Sequence, residues 1–408
     1  MMVFKLAWRN IWRNKRRTFI TAASIFFAVL FSIFMNAMQK GAWTKMLDDV
    51  VHYYTGYIQI HDRGYWNEKS INKLMPQEML PTLQGDERIK AVLPRLESFV
   101  LVSHEAQTAG MMLVGIDPST EDEMTGLSKR IIHGTYLNSI NEEGLIIGEG
   151  VQEKLKISLG DSLVMIGQGY HGVNAVGKYP VIGIASFASP DLNKRMIYLP
   201  LPLAQQFFGA EGLLSSVALD LTDKKYMASV KQSILSNLGT DEYEIMDWKE
   251  MMPELLEAQQ TDAAGNYIFL FVLYMIISFG IMGTVLMMVK ERSYEFGVLN
   301  AIGMKRKTLS GVVYLEVILL GLIGAIVGMI LAFPLVYYFN IHPIDLSNAM
   351  EGASDTYEKW GFSPIFPTTI EWSIFLSQAL IVFVLTSIMA LYPIWKIYRL
   401  KPVEAMKG

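Results

Sequence analysis

The segment 167–172, which reads G-Q-G-Y-H-G, has the spacing with which a glycine-rich turn can hold the phosphates of a dinucleotide. That chemistry needs a helix opening at the third glycine, because the helix N-terminus binds the pyrophosphate. Here residues 173–180 follow, and their pattern predicts the return strand of a hairpin instead. The segment therefore indicates a flexible hairpin whose exposed tip could contact a partner protein. The tip comprises Gly169, Tyr170, His171 and Gly172.

Other catalytic patterns are missing from the sequence. It has no Cys, and its six His lack the spacing of a metal site. It contains no G-x-x-x-x-G-K-[ST] loop for nucleotide phosphates and no G-x-S-x-G elbow for a serine nucleophile. The net charge is −4 without a basic face, which argues against nucleic acid as a partner. We therefore expect no catalytic residue, metal or cofactor in this chain, and no enzyme activity of the chain by itself.

The composition, 51% hydrophobic over 408 residues, is typical of a membrane protein. A helix needs roughly 20 apolar residues to cross a bilayer. Four segments are long enough, namely 18–39, 266–289, 309–340 and 372–395. Lys and Arg cluster before the first segment, between the second and third, and after the fourth. By the positive-inside rule, we expect both termini and the loop 290–308 in the cytoplasm.

The remaining segments follow from this topology. Residues 40–265 and 341–371 would lie outside the cytoplasm, and residues 396–408 would form a cytoplasmic tail. Residues 1–17 have the pattern of an amphipathic helix at the membrane interface, with two tryptophans on one face and arginines on the other. A cleaved signal peptide is the alternative for residues 18–39, but their apolar stretch exceeds the usual length of about 7–15 residues.

The segment 40–265 is long enough for a sizeable folded domain, and its patterns predict a mixed α/β fold. The predicted strands are Tyr57–His61, Phe99–Ser103, Met111–Ile116, Leu145–Ile147, Ser162–Ile166, Val181–Ala185, Met196–Leu199 and Ser216–Leu221. One helix is predicted from Thr222 to Leu238, and another over Trp248–Ala264 would run almost unbroken into the second span as a stalk. We interpret the domain as two interleaved subdomains. The fold class is thus an α-helical membrane protein with four transmembrane helices and a large extracytoplasmic mixed α/β domain between helices 1 and 2.

The third span contains residues that bear on packing or on chemistry. Glu316 would be an intramembrane carboxylate, which is costly and often functional. It could anchor the structure by pairing with Arg or Lys of the cytoplasmic loop, or it could serve transport chemistry. Gly321, Gly324 and Gly328 permit close backbone approach, and the last two fit G-x-x-x-G. They predict helix packing, either within the chain or between two copies.

The loop between the second and third spans carries the most specific pattern. Its candidate coupling residues are Glu291, Arg292, Glu295, Gly297, Ala301, Ile302, Gly303 and Met304. This segment, followed by Glu316, resembles the coupling segment of the MacB/LolE/FtsX superfamily of ABC permeases. The basic opening over residues 6–18 and the closing segment 392–406 resemble the same superfamily. So does the order of one span, a large external domain and three further spans.

The resemblance implies a permease subunit that dimerises, as a homodimer or heterodimer, and binds a cytoplasmic ABC ATPase on which ATP and Mg are expected. The coupling segment would sit in a groove of that ATPase, and a stalk would transmit movement to the external domain. Asn300 departs from the pattern, because relatives often carry a basic residue there. The implied location is a bacterial inner membrane, with membrane lipid around the spans.

Within the superfamily, the segments 56–61, 114–118 and 155–161 look most similar to lipoprotein-releasing permeases. That likeness implies lipoprotein cargo and a periplasmic carrier that docks on a hairpin near 167–178, although the expected proline and arginine pattern is missing there. Efflux of an amphiphilic small molecule or peptide is an alternative. Others are an FtsX-like relay to a cell-wall hydrolase and a membrane receptor without an ATPase.

Overall fold

A computed structural model of the chain describes residues 2–187, 190–238, 242–345 and 365–399. The chain forms two compact units, which we call the helical unit and the α/β unit. The helical unit comprises Met1–Thr44, Ala258–Ile344 and Ile365–Gly408, and the α/β unit comprises Lys45–Glu257 and Asp345–Pro364. Residues 346–364 of the predicted outer loop and the closing segment 400–408 lie outside the described residues.

The elements are as follows. The α-helices are α1 (Met2–Arg13), α2 (Lys15–Val50), α3 (Tyr65–Glu68), α4 (Pro118–Thr125), α5 (Glu149–Leu155), α6 (Pro190–Arg195), α7 (Leu201–Phe208), α8 (Met227–Leu238), α9 (Trp248–Met251), α10 (Pro253–Glu291), α11 (Ser293–Ala301), α12 (Arg306–Ile341) and α13 (Trp372–Arg399). The strands are β1 (Ile58–Asp62), β2 (Met75–Pro76), β3 (Ile89–His104), β4 (Gln107–Ile116), β5 (Ile131–Gly134), β6 (Leu145–Gly148), β7 (Ser162–Gln168), β8 (Asn174–Ala185), β9 (Met196–Pro200), β10 (Leu213–Leu214), β11 (Ser216–Leu221), β12 (Tyr243–Asp247), β13 (Ile344–Asp345) and β14 (Ile365–Phe366). A π-helical turn, Val51–Thr55, follows α2.

Four helices of the described chain are long and apolar enough to cross a membrane. They are α2, α10, α12 and α13, and their most apolar stretches have mean hydropathies of 2.2 to 2.6. A bilayer is crossed by roughly 20 helical residues. These helices have 28 to 39 residues and are therefore long enough. The predicted fold class, four transmembrane helices and a large α/β domain, is confirmed.

The helical unit is held together by an apolar core and by a polar contact inside it. Val29 of α2, Ile281 of α10 and Val317 of α12 are among its buried residues. At the polar contact, Gln378 Oε1 of α13 accepts hydrogen bonds from Ser32 Oγ at 2.8 Å and from the hydroxyl of Tyr274. Because Ser32 belongs to α2 and Tyr274 to α10, the amide of one residue ties three long helices together.

The α/β unit is organised around a ten-stranded sheet with the order β12-β1-β11-β3-β4-β9-β6-β8-β5. Strand β7 pairs with both β3 and β8, so the path β3-β4-β9-β6-β8-β7 closes on itself. Every predicted strand is present in this sheet. The prediction was too short for β3, whose 16 residues pair successively with β11, β4 and β7.

Two hydrophobic cores pack against this shared sheet, beside a minor cluster of Ala91, Leu93, Met124 and Ala218. The larger contains Val102, Met165 and Phe208, and the smaller contains Ile116 and Tyr198. The sequence indicated two interleaved subdomains, whereas these two cores use the same strands. Since β4 contributes Leu113 to one core and Ile116 to the other, the two cores are parts of one folded unit.

The predicted helix Trp248–Ala264 is wrong in its first part, because the helix is interrupted at Met252. Asp247 caps α9 through the backbone N–H groups of Lys249 and Glu250, and α10 starts anew at Pro253. Proline disfavours the helical conformation of the residue before it, and Met252 accordingly has φ −132° and ψ 62°. From Pro253 onward, α10 continues without a break to Glu291.

Candidate coupling site

The coupling segment is the chain between α10 and α12, and its centre is the nine-residue helix α11. One side of α11 is anchored in the helical unit. Phe296 is fully buried in the core, and the guanidinium of Arg292, just before the helix, lies 5.3 Å from the centre of the Phe296 ring. Gly297 is buried beside it. The apolar anchor fixes the rotation of α11 about its own axis.

A Schellman motif ends the helix at Gly303. The N–H of Met304 bonds to the carbonyl of Leu299 at 3.0 Å, and the N–H of Gly303 bonds to that of Asn300 at 3.2 Å. Gly303 has φ +103°, a backbone conformation that residues with a Cβ rarely adopt. The glycine at this position therefore sets where the helix stops and where α12 can begin.

An ion pair between Arg292 and Glu316 holds the segment against the third long helix. Arg292 Nη1 lies 2.7 Å from Glu316 Oε2, and both side chains are buried. A buried pair of this kind is costly to break, because the remaining charge stays in a low dielectric. The pairing of Glu316 with a cation of the loop, one of the two sequence interpretations, is present in the structure.

A second ion pair joins the segment to α1. Arg13 Nη2 donates to Glu295 Oε1 at 2.7 Å and to Oε2 at 2.9 Å, while Arg292 Nε donates to Oε2 at 3.2 Å. Burial alone would raise the pKa of Glu295, but these hydrogen bonds outweigh burial and lower the pKa. A polar cleft of about 220 Å³ lies at this junction. It is lined by Asn10, Arg13, Asn14, Glu291, Arg292 and Glu295.

The other side of the coupling segment faces away from the protein. Tyr294 is 58% exposed and Ile302 is 79% exposed, and Ala301 and Gly303 are exposed as well. This outer side therefore presents Tyr294 and Ile302 to the surroundings, whereas the inner side is packed. The structure therefore divides the predicted coupling residues into an anchored group and an outward-facing group.

The predicted partner hairpin is β7 and β8, whose register runs from Ser162↔Pro180 to Gln168↔Asn174. The return strand predicted after residue 172 is present. The tip is less free than predicted, because Tyr170 is half-buried against the larger core and the N–H of His171 bonds to Asn72 Oδ1 at 2.8 Å. Gly169 is buried, whereas His171 and Gly172 are exposed.

The three glycines of α12 lie where other helices approach it closely. A Cβ on Gly324 would lie 2.7 Å from Ile25 Cβ, and one on Gly328 would lie 2.8 Å from Val29 Cβ, so both glycines face α2. A Cβ on Gly321 would lie 2.6 Å from Thr386 of α13. The close packing that G-x-x-x-G predicts is thus found within the chain.

Sequence reasoning missed the contribution of Arg13. The sequence places it among the cations that precede the first span, whereas in the structure its side chain is a direct partner of Glu295. The two residues are 282 positions apart in sequence, and no local spacing could have paired them. Nothing in a single sequence indicates that two exposed charged residues on either side of a whole domain form an ion pair.

Known proteins resemble this chain over most of its length. A family model described as the MacB-like periplasmic core domain matches residues 18–236, and one described as FtsX-like permease C-terminal matches residues 267–402. The lipoprotein-releasing system transmembrane protein LolC of Xylella fastidiosa is 22% identical over 81% of each chain. The macrolide export ATP-binding/permease protein MacB of Rhodopseudomonas palustris is 22% identical over 84% of this chain and 54% of its own.

A solved structure, the periplasmic region of MacB from Actinobacillus actinomycetemcomitans, is 16% identical and covers 52% of this chain and 98% of its own, with a TM-score of 0.38. The family models decide the assignment. One of them covers more than half of the 408 residues, and the other covers the coupling segment and the helices around it. The chain belongs to the MacB/FtsX-like family of ABC transporter permeases.

Proposed function

We propose that this permease couples ATP hydrolysis by a cytoplasmic partner ATPase to work done by its α/β unit. The observation that carries the proposal is the two-sided coupling segment. Its inner side is fixed by Phe296 and by the ion pairs of Arg292, and its outer side ends in the exposed Ile302. A push on the outer side would pass into α10 and α12, because the inner side cannot rotate independently of them.

Two observations support a nucleotide site outside this chain. The sequence contains no Walker loop, and the chain spans 54% of the Rhodopseudomonas relative that is named both ATP-binding and permease. We therefore propose that ATP and Mg bind a partner ATPase rather than these 408 residues. In this proposal the protein lies in a bacterial inner membrane as a dimer, with both termini and residues 290–308 cytoplasmic.

For the work itself we propose release of lipoproteins from the membrane. The proposal rests on the segments 56–61, 114–118 and 155–161, and on the likeness to LolC over 81% of both chains. The likeness to a macrolide export protein supports efflux of an amphiphilic small molecule as the second candidate. The two candidates differ in what leaves the membrane, so one reconstituted system can compare them.

The coupling proposal is tested with Glu295→Gln and Gly303→Ala. Each variant should insert into the membrane normally and should still bind the partner ATPase, whose ATP hydrolysis continues. Release of cargo should fall about tenfold or more. The reason is that Glu295→Gln weakens the contact with Arg13, and Gly303→Ala strains the turn that orients Ile302. Purification with the co-expressed ATPase, followed by paired measurements of ATP hydrolysis and cargo release, gives both quantities.

Matched controls make the same chemical changes elsewhere. Glu257→Gln removes an exposed carboxylate of α10, and Gly280→Ala adds a methyl group that meets nothing within 4 Å. Both controls should behave like the wild type. If the coupling variants also keep full release per ATP hydrolysed, or if no ATPase co-purifies with the chain, the assignment of the coupling segment is wrong.

The cargo and the carrier are tested on the hairpin. Val173 and Val176 are exposed near its tip, with 52% and 65% of their surface accessible. Val173→Ser and Val176→Ser should slow transfer of a lipoprotein to a soluble carrier, whereas Ile132→Ser, also exposed, should not. Unchanged transfer in the hairpin variants would remove carrier docking from the proposal, and export of a small amphiphile without lipoprotein release would favour the second candidate.

A further inference from the structure

Helix α1 packs on the protein along one side and exposes another. Ala7 and Ile11 are fully buried, and the helix lies against α12. The spacing i, i+4, i+8 places Phe4, Trp8 and Trp12 in a stripe on another face, where each is 43% to 53% exposed. The rings of Trp8 and Trp12 contact each other edge to face at 6.0 Å. An exposed stripe of three aromatic rings is unusual on the surface of a soluble protein.

Cations border this aromatic stripe. Lys5 and Arg9 follow it around the helix, and Arg16 extends it at the start of α2; all three are exposed. None of them forms an ion pair with a carboxylate in the described ranges of the chain. The exposed side of α1 thus combines aromatic rings with positive charge that no carboxylate of the described residues neutralises. We call the surface formed by Phe4, Trp8, Trp12, Lys5 and Arg9 the α1 headgroup face.

We propose that the α1 headgroup face binds anionic phospholipid of the adjacent leaflet, and that α1 transmits lipid binding to the coupling segment through Arg13. Tryptophan rings prefer the level of the headgroups, and a helix with aromatic and basic residues on neighbouring faces lies in that layer. Clustered Lys and Arg favour lipids that carry net negative charge over zwitterionic lipids.

The position of α1 favours lipid as the ligand of the α1 headgroup face. Only Asn14 separates α1 from α2, which is apolar enough to span the membrane, and α12, on which α1 rests, is another such helix. A headgroup layer is therefore in reach of the exposed face. An acidic protein would match the cations equally well, but it would leave the exposed rings of Phe4, Trp8 and Trp12 without an apolar partner.

The proposed route to the coupling segment runs through Arg13 and Glu295. Arg13 is on the last turn of α1, and its guanidinium contacts both carboxylate oxygens of Glu295. A lipid that holds α1 in place also holds Arg13 in place, and thereby restrains the start of α11. This second half of the inference rests on the proposed function of the coupling segment, whereas lipid binding does not depend on it.

Lipid binding is tested on the detergent-solubilised full chain by native mass spectrometry, with phosphatidylglycerol and phosphatidylcholine as probes. The wild type should bind phosphatidylglycerol more tightly. The double variant Lys5→Gln/Arg9→Gln should lose about thirtyfold in affinity, since each cation near an anionic surface contributes about 1 kcal/mol. Lys154→Gln/Lys224→Gln, which removes two exposed cations of the α/β unit, should bind like the wild type.

Equal binding of the two lipids, or an equal loss of affinity in the control variant, would contradict lipid binding by the α1 headgroup face. So would an acidic protein that co-purifies and is released by Lys5→Gln/Arg9→Gln while phosphatidylglycerol binding is unaltered. The preference for the anionic lipid, lost only in the α1 variant, supports it. None of these measurements requires an ATPase, so their outcome is independent of the proposed function.

Transmission is tested with a spin label attached to Tyr294→Cys. This position is exposed and adjacent to Glu295, and the chain has no other Cys. In nanodiscs that contain phosphatidylglycerol the label should be less mobile than in phosphatidylcholine alone. Arg13→Gln should abolish that difference while phosphatidylglycerol binding is kept. A lipid effect that survives Arg13→Gln, or no lipid effect in the wild type, would overturn the transmission route.

Discussion

Arg95 and Glu121 form a fully buried ion pair in the α/β unit. Arg95 Nη2 lies 2.7 Å from Glu121 Oε1, and Nε lies 3.0 Å from Oε2. The remaining guanidinium nitrogen, Nη1, donates to the backbone carbonyl of Tyr54, and the guanidinium lies over the Tyr54 ring at 4.6 Å. Because Tyr54 belongs to the π-helical turn after α2, the pair fixes that turn to strand β3.

Breaking this pair should strongly destabilise the protein. Arg95→Met leaves the Glu121 carboxylate buried without its cation, and the free energy of unfolding should fall by about 3–5 kcal/mol. The double variant Arg95→Met/Glu121→Leu removes both charges and should recover much of that loss. Thermal unfolding of the full-length protein in detergent measures both. A double variant that is at least as unstable as Arg95→Met would show that the unpaired Glu121 carboxylate is not the source of the loss.

The sequence did not predict this pair, and neither partner lies in an element that it predicted, since Glu121 belongs to helix α4. Arg95 precedes the predicted strand Phe99–Ser103 and belongs to an extension of β3 that was missed. An arginine inside a strand is usually exposed, so its burial follows only from the tertiary partners Glu121 and Tyr54. The same is true of Arg13 and Glu295 at the coupling segment, whose pairing depends on the packing of α1.

His61 makes the α/β unit sensitive to pH. Its side chain is 1% exposed, and burial lowers its pKa from 6.5 to about 4. Nδ1 lies 3.2 Å from the carbonyl of Ser215, whereas Nε2 is buried without a hydrogen-bond partner among the described residues. The folded state therefore excludes the proton that an unfolded chain accepts below pH 6.5.

Stability should accordingly be complete above the unfolded pKa and decline as the pH falls towards 4. Between pH 7 and pH 5 the loss from His61 should be about 2 kcal/mol. His61→Gln should flatten this part of the profile, and His133→Gln, a change of an exposed histidine, should leave it intact. Unfolding midpoints recorded across this range provide the test, and an equally steep profile in His61→Gln would exclude the histidine as its source.

At the scale of the elements, the glycines of α12 decide how closely it packs. Gly324→Ala should destabilise the helical unit by about 1–3 kcal/mol, because the added Cβ would overpack the contact with Ile25. Gly280→Ala is the matched change on α10, where a methyl group has open space. Thermal unfolding in detergent compares the two. Equal stability of both variants would show that α2 can move away from α12 without cost.

The elements themselves were predicted to different degrees, for physical reasons. Strands with alternating or continuous apolar residues, such as β11, were found because the pattern is local. The strand β12 was missed, since Tyr243–Asp247 shows no such pattern and is held by pairing with β1. The stalk was predicted as one helix from Trp248, whereas it is interrupted at Met252, because Pro253 disfavours the helical conformation of the residue before it.

At the scale of the whole molecule, hydropathy was sufficient for the four long helices because crossing a bilayer requires length and apolarity alone. It was insufficient for the coupling site, which is assembled from α1, α11, α12 and the residue between α10 and α11. Arg13 of α1 pairs with Glu295 of α11, and Arg292 pairs with Glu295 and with Glu316 inside α12. Charge patterns along the chain indicated which side of the membrane these residues occupy, and that orientation is itself a prediction.

The orientation can be tested with single cysteines, because the chain has none of its own. Ala106→Cys lies in the exposed turn between β3 and β4, and Lys307→Cys lies at the exposed start of α12. In intact cells whose outer membrane is permeabilised, a membrane-impermeant maleimide should label Ala106→Cys at once. Lys307→Cys should react only after the inner membrane is opened. The neighbouring Ser310 is unsuitable, since it is only 5% exposed.

The two positions discriminate because they report on opposite consequences of the charge pattern. The cations around residues 290–308 are harder to translocate than the near-neutral outer segments, so Lys307 and the coupling segment should share the compartment of the ATPase. If Ala106→Cys and Lys307→Cys react from the same side, the number of crossings between them is even rather than odd. The α/β unit and the coupling segment would then face one compartment, and no push on Ile302 could be carried across the membrane by α10.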